Sequence, residues 1–318
     1  LHLCDRRQRQ MCIRDRAGGT LLQSSPYNSY ALQAENWLAG RNNIANGENY
    51  TWLELAIYQG RYYQSFPPVP AVLMLPFVAA AGEWSAIPGN LIAMGLALLC
   101  AGGVYACCMR GGMQPVTCAF FTLFVSMGSN VFWMSTSDGV WFLAQVCALG
   151  FAFWGLFFAQ GGNAVQDAAA SLCMALAVGC RPFYALLLAC WLGWQFYQRR
   201  SLKRILPALL PAVVMAACMM AYNFARFGSV TEFGHNYLPE FVRAENGQFS
   251  LTYLVPNLLQ LLRPVTLDAQ GQLHFEIYNG FLFFAANPLF LLAMVRGLLL
   301  RLPCLLYTSP SPRDSTSS

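Results

Sequence analysis

The sequence predicts an all-α polytopic membrane protein, and three observations support this class. First, 57% of the residues are hydrophobic and only 10% are charged, whereas soluble domains carry about 25% charged residues. Second, the apolar residues form eight segments, at about 67–82, 88–109, 115–134, 139–160, 165–180, 182–198, 205–224 and 280–300. Third, cationic side chains cluster between these segments. Several segments are shorter than the roughly 20 residues of a spanning helix, so eight counts apolar segments rather than crossings.

The two ends of the chain are excluded from the fold prediction. Residues 6–15 and 304–314 resemble translated sequencing-adapter DNA, read in frame, and we expect 1–16 and 304–318 to be adapter-derived. Residues 17–303 are then expected to form a single polytopic domain that is a fragment at both ends. Removing the six arginines and three aspartates of the ends lowers the formal net charge from +5 to +2. This charge gives no support for a nucleic-acid partner.

The cysteines predict neither a disulfide framework nor a metal site. Of the 12 cysteines, Cys4, Cys12 and Cys304 belong to the excluded ends. The others lie between Cys100 and Cys218 inside apolar segments, where cysteine acts as a small hydrophobic residue. The sequence has no Cys-x-x-Cys pair and no His/Cys cluster with metal-ligand spacing.

The first element, 17–66, is polar and is predicted to be an external loop. Apolar positions at helical spacing predict a short amphipathic helix over 29–39 that lies at the membrane interface. The Pro67-Pro68 pair then excludes helix at Phe66, because proline disfavours the α region for the residue before it. Proline is also well placed to open a helix, so membrane helices are predicted over 67–224.

A second polar stretch, 225–279, follows the membrane helices and is also predicted to be an external loop. It contains a predicted amphipathic helix over 251–262 and a turn at Asp268–Gly271. A final membrane helix is predicted over 280–303.

Orientation follows from the cationic clusters, which favour the cytoplasmic side. Two groups of cations flank apolar segments and are predicted to be cytoplasmic: Arg199, Arg200, Lys203 and Arg204, and then Arg296 and Arg301. Counting crossings from them places 225–279 and Asp138 outside and Arg110 inside. The same count places 17–66 inside if every segment crosses once. Residues 17–66 lie outside if 67–82 enters and leaves on one side, or if 165–180 and 182–198 do not both cross.

Three motifs resemble one family. GRYYQSFPPVPAVLMLP at Gly60–Pro76, the Arg181-Pro182 pair after a small-residue helix, and YNFARFG at Tyr222–Gly228 are similar to patterns in bacterial multi-spanning glycosyltransferases of the GT-C fold. The similarity is to the protein mannosyltransferase and lipopolysaccharide sugar-transferase groups, which are glycosyltransferase family 39-like. It covers most of residues 26–300, and the three motifs point to the family only in combination.

The resemblance implies a GT-C-like helical bundle in the cytoplasmic membrane, with 17–66 outside and a first membrane helix before residue 17. It implies a polyprenyl-phosphate-linked sugar as donor and a lipid or envelope glycan as acceptor at the outer face. It also implies a carboxylate in the first external loop, yet no aspartate occurs between Arg16 and Asp138. Glu54 stands where related sequences carry that aspartate. We expect the fragment to be inactive, because the first helix is missing.

The candidate site residues follow from the chemistry of sugar transfer. A base must deprotonate the acceptor hydroxyl and a cation must offset the charge of the leaving phosphate. The candidates for the base are Glu54 and, as the alternative, Glu35. The candidates for binding the donor phosphate are Arg61, Arg181 and Arg226, because a guanidinium binds two phosphate oxygens at once. The candidates for binding sugar or acceptor are Tyr62, Tyr63, Glu232 and His235. No metal ligands are predicted, although the chemistry is compatible with a divalent cation.

Simpler interpretations of these residues remain open. Glu54 is equally consistent with a solvated loop carboxylate, Arg181 with a helix-end cation that extends to lipid headgroups, and the tyrosines with an interfacial aromatic belt. Asp138 is most simply a helix N-cap or turn former.

The alternative functions are a transporter or flippase of lipid-linked intermediates and an assembly partner without activity. Transporters usually place ionisable residues and broken helices at the bilayer midplane in paired halves. The polar residues of this chain lie in the predicted external loops, which favours the enzyme.

Overall fold

The structure is a computed structural model that describes residues 21–199, 201–239, 250–261, 263–264, 266–267, 270–274, 291–292 and 295–296. The chain divides into two compact units, 1–243 and 244–318.

The described part of the first unit is mostly helical. Its helices are α1 (Ser29–Leu38), α2 (Val69–Ala81), α3 (Gly89–Arg110), α4 (Pro115–Met127), α5 (Asn130–Met134), α6 (Val140–Ala159), α7 (Ala164–Val178), α8 (Ala185–Arg199) and α9 (Leu202–Phe227). Short 3₁₀ turns occur at Gly47–Tyr50, Trp84–Ala86, Pro182–Tyr184 and His235–Tyr237. Among the described residues, α3, α6 and the Ile205–Phe227 part of α9 are long and apolar enough to cross a membrane. The prediction of a helical membrane protein is supported at this level.

Seven of the eight predicted apolar segments are helical, and the eighth, 280–300, lies largely outside the described residues. The segment 115–134 is divided into α4 and α5. The break falls at Gly128 and Ser129, where Ser129 is extended (φ −130°, ψ 179°) and its hydroxyl accepts a hydrogen bond from the Val131 amide at 3.2 Å. Serine at this position favours a new helix start over continuation, because its side chain competes for the backbone.

A β-hairpin in the first polar loop departs from the all-α prediction. Strands β1 (Leu55–Tyr58) and β2 (Arg61–Gln64) are antiparallel, with Leu55 opposite Gln64 and Tyr58 opposite Arg61. Gln59 and Gly60 connect them with φ values of 50° and 72°. A two-residue turn with both φ values positive matches the right-handed twist of paired strands. The signal was a run of aromatic and branched residues on both sides of Gln-Gly.

Helix α1 confirms the predicted helix over 29–39 but not its predicted position. The Asn28 side chain caps the helix by accepting a hydrogen bond from the Ala31 amide at 2.9 Å. All residues from Ser29 to Ala34 are buried, as is Asn36. Tyr30, Ala31 and Ala34 share a core cluster with residues of α2, α3 and α6. The helix is therefore packed into the core of the first unit rather than being a surface helix with one solvated face.

Helix α2 has both of its ends beside α1. At its start, the Phe66 ring lies 6.4 Å from the Tyr30 ring. Beyond its end, the Trp84 amide donates a hydrogen bond to Glu35 Oε1 at 3.4 Å. Its 13 residues extend about 20 Å, which is less than the roughly 30 Å of a hydrocarbon core. The helix is therefore too short to cross a hydrocarbon core by itself, and whether 67–82 crosses the membrane stays a prediction.

Helices α3 and α6 run parallel, with Asp138 at one end and Arg110 at the other. At the first end, the Asp138 amide donates a hydrogen bond to Asn90 Oδ1 at 3.0 Å. At the other end, the Arg110 guanidinium carbon lies 4.8 Å above the Phe157 ring. The two residues thus lie at opposite ends of this helix pair, and their placement outside and inside the membrane stays a prediction.

In the described part of the second unit, a 3₁₀ turn (Leu251–Tyr253) leads into α10 (Leu254–Leu261). This confirms helix over most of the predicted 251–262. Strands β3 (Thr266–Leu267) and β4 (Leu273–His274) form a second antiparallel hairpin. The predicted turn at Asp268–Gly271 falls between these strands, with 268–269 outside the described residues.

Candidate functional site

Glu54 is half-buried and lies between the start of β1 and the first turn of α6. Its Oε2 accepts a hydrogen bond from the indole nitrogen of Trp141 at 3.2 Å. Its backbone carbonyl accepts a second hydrogen bond from the Ser65 hydroxyl at 2.8 Å. The carboxylate therefore has a defined position at the end of a membrane-length helix, unlike a freely solvated loop side chain.

Arg181 follows α7 in extended conformation (φ −144°, ψ 114°). Its Nη2 donates a hydrogen bond to the Trp141 carbonyl at 2.8 Å, and its guanidinium carbon lies 5.7 Å from the centre of the Phe66 ring. Its Nε is buried and has no hydrogen-bond partner in the described part of the chain. Arg181 and Glu54 thus bond to the same residue, Trp141.

Arg226 lies in the last turn of α9 and is 5% exposed. Its Nη1 donates to the Gln64 carbonyl at 2.6 Å and its Nη2 to Asn223 Oδ1 at 3.1 Å. Its guanidinium carbon lies 3.9 Å above the Tyr222 ring. These contacts attach the end of α9 to the hairpin strand β2.

Several buried polar atoms beside these arginines have no hydrogen-bond partner among the described residues. They are Tyr30 Oη, both amide atoms of Gln33, Gln64 Oε1, Arg181 Nε, Tyr222 Oη and Arg226 Nε. Tyr30, Gln33 and Trp37 share one face of α1, and the Trp37 ring lies 5.7 Å from the Tyr222 ring on α9. Because buried polar groups are usually paired, this concentration favours a place for water or a polar ligand.

The loop after α9 brings Glu232 and His235 to this region. Glu232 accepts hydrogen bonds from the Gly234 amide at 2.7 Å and from Asn236 Nδ2 at 2.8 Å. The His235 ring lies 6.3 Å from the Phe66 ring. Burial lowers the pKa of His235, as does nearby Arg181, while Glu232 raises it. The lowered pKa favours the neutral imidazole, which is suited to hydrogen bonding rather than to charge pairing.

Tyr62 and Tyr63 point to opposite faces of β2. Tyr62 lines a pocket of about 340 Å³ together with Glu48, Tyr50 and Glu54. Tyr63 is buried, with its ring 5.2 Å from the Phe227 ring. Tyr62 is therefore the tyrosine that faces the pocket of the candidate base, and Tyr63 packs beside the Arg226 region.

Two predicted site residues lie apart from this cluster. Arg61 is exposed at the hairpin turn. Glu35 lies away from the Tyr30 face of α1 and accepts the hydrogen bond from the Trp84 amide. The fold brings three predicted charged residues into one region. Glu54 and Arg181 both bond to Trp141. Arg226 bonds to Gln64 of β2, two residues before the Phe66 ring that Arg181 contacts.

Trp141, Tyr30 and Tyr222 were not predicted as site residues. Trp141 and Tyr222 lie within segments that read as membrane helix, where aromatic residues are ordinary. The one available signal for Tyr30 was its position in an aromatic-bearing patch of the polar loop.

Asp138 is neither the N-cap of α6 nor exposed, and the prediction of a capping role is wrong. Gly139 occupies the cap position, and no side chain caps the helix there. The Asp138 carboxylate accepts hydrogen bonds from Ser24 Oγ at 2.6 Å, the Ser25 amide at 2.7 Å and Asn28 Nδ2 at 2.6 Å. Burial raises the pKa of Asp138, and these hydrogen bonds oppose the rise. The residue ties the start of the described chain to the starts of α3 and α6.

An apolar cavity of about 710 Å³ begins at Pro68 and Val69, close to Phe66. Its lining comes from α2, α6, α7 and α9 and is formed by Pro68, Val69, Val72, Leu73, Phe151, Leu172, Leu176, Leu210, Pro211, Val214, Met215, Cys218 and Met219. Every lining side chain is hydrophobic, so the cavity suits a hydrocarbon chain.

In the residues that the structure covers, no three His, Cys, Asp or Glu side chains are grouped so that they could hold a metal ion. No family model, no curated protein and no solved structure matches the chain. The resemblance to GT-C glycosyltransferases therefore stays a prediction.

Proposed function

We propose that the protein is a GT-C-like membrane glycosyltransferase. It transfers a sugar from a polyprenyl-phosphate donor to a lipid or envelope glycan acceptor at the outer face of the cytoplasmic membrane. The observation that carries the proposal is that a carboxylate, Glu54, and a guanidinium, Arg181, bond to the same residue at the start of α6. Sugar transfer from a phosphate needs these two groups close together.

In the proposed reaction, Glu54 takes the proton of the acceptor hydroxyl. The acceptor oxygen forms a bond to the anomeric carbon as the bond between that carbon and the phosphate oxygen breaks, with inversion. The electron pair of the broken bond remains on the polyprenyl phosphate. Arg181 and Arg226 offset the charge on this leaving group, for which guanidinium is well suited.

The two cavities support an amphiphilic donor. The 340 Å³ pocket beside Glu54 is lined by two acidic and two aromatic side chains together with aliphatic ones such as Leu53, Leu55 and Ile57. Pockets of about 300 Å³ or more accommodate small ligands. The larger apolar cavity begins two residues after Phe66, against which Arg181 lies. A phosphate near Arg181 would have the sugar pocket and a hydrocarbon cavity within reach.

The test compares Glu54→Gln with the matched control Glu48→Gln, which removes a second, exposed carboxylate from the same pocket. The full-length parent gene, recovered without the adapter-derived ends, is expressed, and membranes with matched amounts of each protein receive labelled polyprenyl-phosphate sugars. We expect Glu54→Gln to lower transfer about 100-fold or more, as for loss of a general base, and Glu48→Gln to retain most of it.

Two results would contradict the proposal in different ways. Transfer that survives Glu54→Gln would keep the enzyme and move the base to Glu35 or elsewhere. Movement of lipid-linked sugar across the bilayer, without transfer from any donor, would favour the transporter.

A further inference from the structure

We propose that Trp141 is a positioning residue that holds the Glu54 carboxylate and the Arg181 guanidinium in one fixed arrangement. The inference rests on the proposed function, since it assigns to Trp141 the alignment of the base with the phosphate-binding cation.

Trp141 contacts the two groups with different atoms. Its indole Nε1 donates to Glu54 Oε2 at 3.2 Å, and its backbone carbonyl accepts from Arg181 Nη2 at 2.8 Å. The side chain therefore fixes the carboxylate, while the main chain of α6 fixes the guanidinium. A displacement of the first turn of α6 would move both groups together.

The first turn of α6 is itself anchored. The Val140 amide donates to the Tyr27 carbonyl at 3.0 Å, and the Tyr27 and Trp141 rings lie 5.8 Å apart. Three residues before Trp141, the buried Asp138 carboxylate bonds to Ser24, Ser25 and Asn28. Trp141 thus projects from a part of the helix that has little freedom to shift.

The indole N–H stabilises the deprotonated form of the Glu54 carboxylate. An indole is a donor only, so it bonds to an unprotonated carboxylate oxygen and favours the form that accepts a proton from the acceptor. The titratable groups that face Glu54 are Glu48, Tyr50 and Tyr62 across the pocket, and Arg181 lies on the other side of Trp141. Loss of the N–H removes the hydrogen bond that Trp141 donates to Glu54 and leaves these charged and titratable groups in the sequence.

The test is Trp141→Phe, with Trp154→Phe as the matched control. Trp154 lies in the same helix, and its indole donates to the Leu99 carbonyl at 3.1 Å, so both substitutions remove one indole hydrogen bond from α6. Both substitutions are made in the full-length protein, and the measurements are the pH profile of kcat/KM and the separate kcat and KM for a polyprenyl-phosphate sugar. Thermal melting in detergent confirms that both variants fold.

For Trp141→Phe we expect kcat to fall about 10-fold, as for loss of a hydrogen bond to a charged group. We expect the acid limb of its profile to move about one pH unit higher, with neither change in Trp154→Phe. A packing role alone predicts no shift of the acid limb. Equal profiles for the two variants would overturn the inference.

A second measurement separates failure of this inference from failure of the proposed function. Infrared difference spectra between each protein and its Glu54→Gln counterpart report the protonation of the Glu54 carboxyl without any turnover. We expect its titration midpoint to rise by about one unit in Trp141→Phe and to stay unchanged in Trp154→Phe. An unchanged midpoint in Trp141→Phe overturns the inference, whereas a shifted midpoint in a protein without transfer activity overturns only the proposed function.

Discussion

Asp138 is buried, as are Arg226 and the Nε atom of the half-buried Arg181, but their hydrogen-bonding states are opposite. Both carboxylate oxygens of Asp138, which is 1% exposed, bond to donors from the protein. Arg226 is almost as buried, yet its Nε has no partner among the described residues, and neither has the Nε of Arg181. A buried charge whose bonds are complete holds the chain together, whereas one whose bonds are incomplete retains the capacity to bind.

The neighbours of the two regions differ in the same way. Around Asp138, the backbone and side chains of 24–28 supply the donors. Around the arginines, the hydroxyls of Tyr30 and Tyr222 are also buried without a partner in the described chain. Burial raises the pKa of Tyr30 well above its ordinary value, so its hydroxyl keeps its proton and is available as a donor.

The largest expected effect is on the Asp138 region and comes from Gly89→Ala. A β-carbon at Gly89 would lie 1.6 Å from Asp138 Oδ2, whereas one at Gly95 of the same helix would meet no atom within 4 Å. We expect Gly89→Ala to lower the free energy of unfolding by about 3 kcal/mol, as for an overpacked core. Gly95→Ala should be neutral or slightly stabilising. Equal melting temperatures of the two variants in detergent would show that the Asp138 cluster adjusts to the added β-carbon at little energetic cost.

Asp138→Asn should come next in size. The new amide group replaces one acceptor oxygen by a donor, so that at least one of the three donors loses its partner. We expect a loss of about 2 kcal/mol in the free energy of unfolding, measured by chemical unfolding, with the transfer activity of the folded fraction retained. A large loss of activity in fully folded Asp138→Asn would mean that Asp138 takes part in the reaction.

Tyr30→Phe and Tyr222→Phe should give the opposite pattern. Removing a buried hydroxyl without a partner is nearly neutral for folding, so we expect the free energy of unfolding to change by no more than about 0.5 kcal/mol. If these hydroxyls donate to the phosphate, the KM for the donor should rise about 10-fold. Clear destabilisation by either substitution, in the absence of ligand, would show that the hydroxyl is already paired.

The smallest expected effect is the pH dependence contributed by His235. Its pKa is lowered in the folded protein, so the unfolded chain takes up the proton first as the pH falls below about 6.5. The free energy of unfolding should therefore fall below that pH, and His235→Gln should reduce this slope. The measurement is the melting temperature of both proteins between pH 5 and 8. Parallel curves would exclude His235 as the cause.

Part of the site could be predicted from the sequence because a charged residue among apolar residues is energetically unfavourable, and such a residue can be recognised from the sequence alone. Arg181 stood out because a cation between two apolar segments is unfavourable without a role, and the structure gives it a defined partner. Arg61 and Glu35 could not be separated from the other candidates, because strand pairing and the rotation of the helix determine where these two side chains point. The Gln59-Gly60 turn leaves Arg61 exposed, and the phase of α1 directs Glu35 towards Trp84.

The remaining parts could not be predicted because they depend on long-range pairing. Trp141 approaches Glu54 across 87 residues, and Arg226 approaches Gln64 across 162. In the sequence, Trp141 is one aromatic residue in an apolar helix, and Asp138 is a polar residue before a glycine. Their roles follow only from which chain segments meet at the starts of α3 and α6.

We propose that the incompletely bonded guanidinium of Arg181 binds the donor phosphate, and ligand-induced thermal stabilisation in nanodiscs tests this binding directly. The ligands are polyprenyl phosphate and the matching polyprenol, and the proteins are wild type, Arg181→Gln and Arg61→Gln. At 100 times its Kd, a ligand stabilises the folded state by about 2.7 kcal/mol. We predict that the phosphate, but not the alcohol, stabilises wild type and Arg61→Gln and has little effect on Arg181→Gln. Equal stabilisation by the alcohol, or full stabilisation of Arg181→Gln by the phosphate, would contradict the claim.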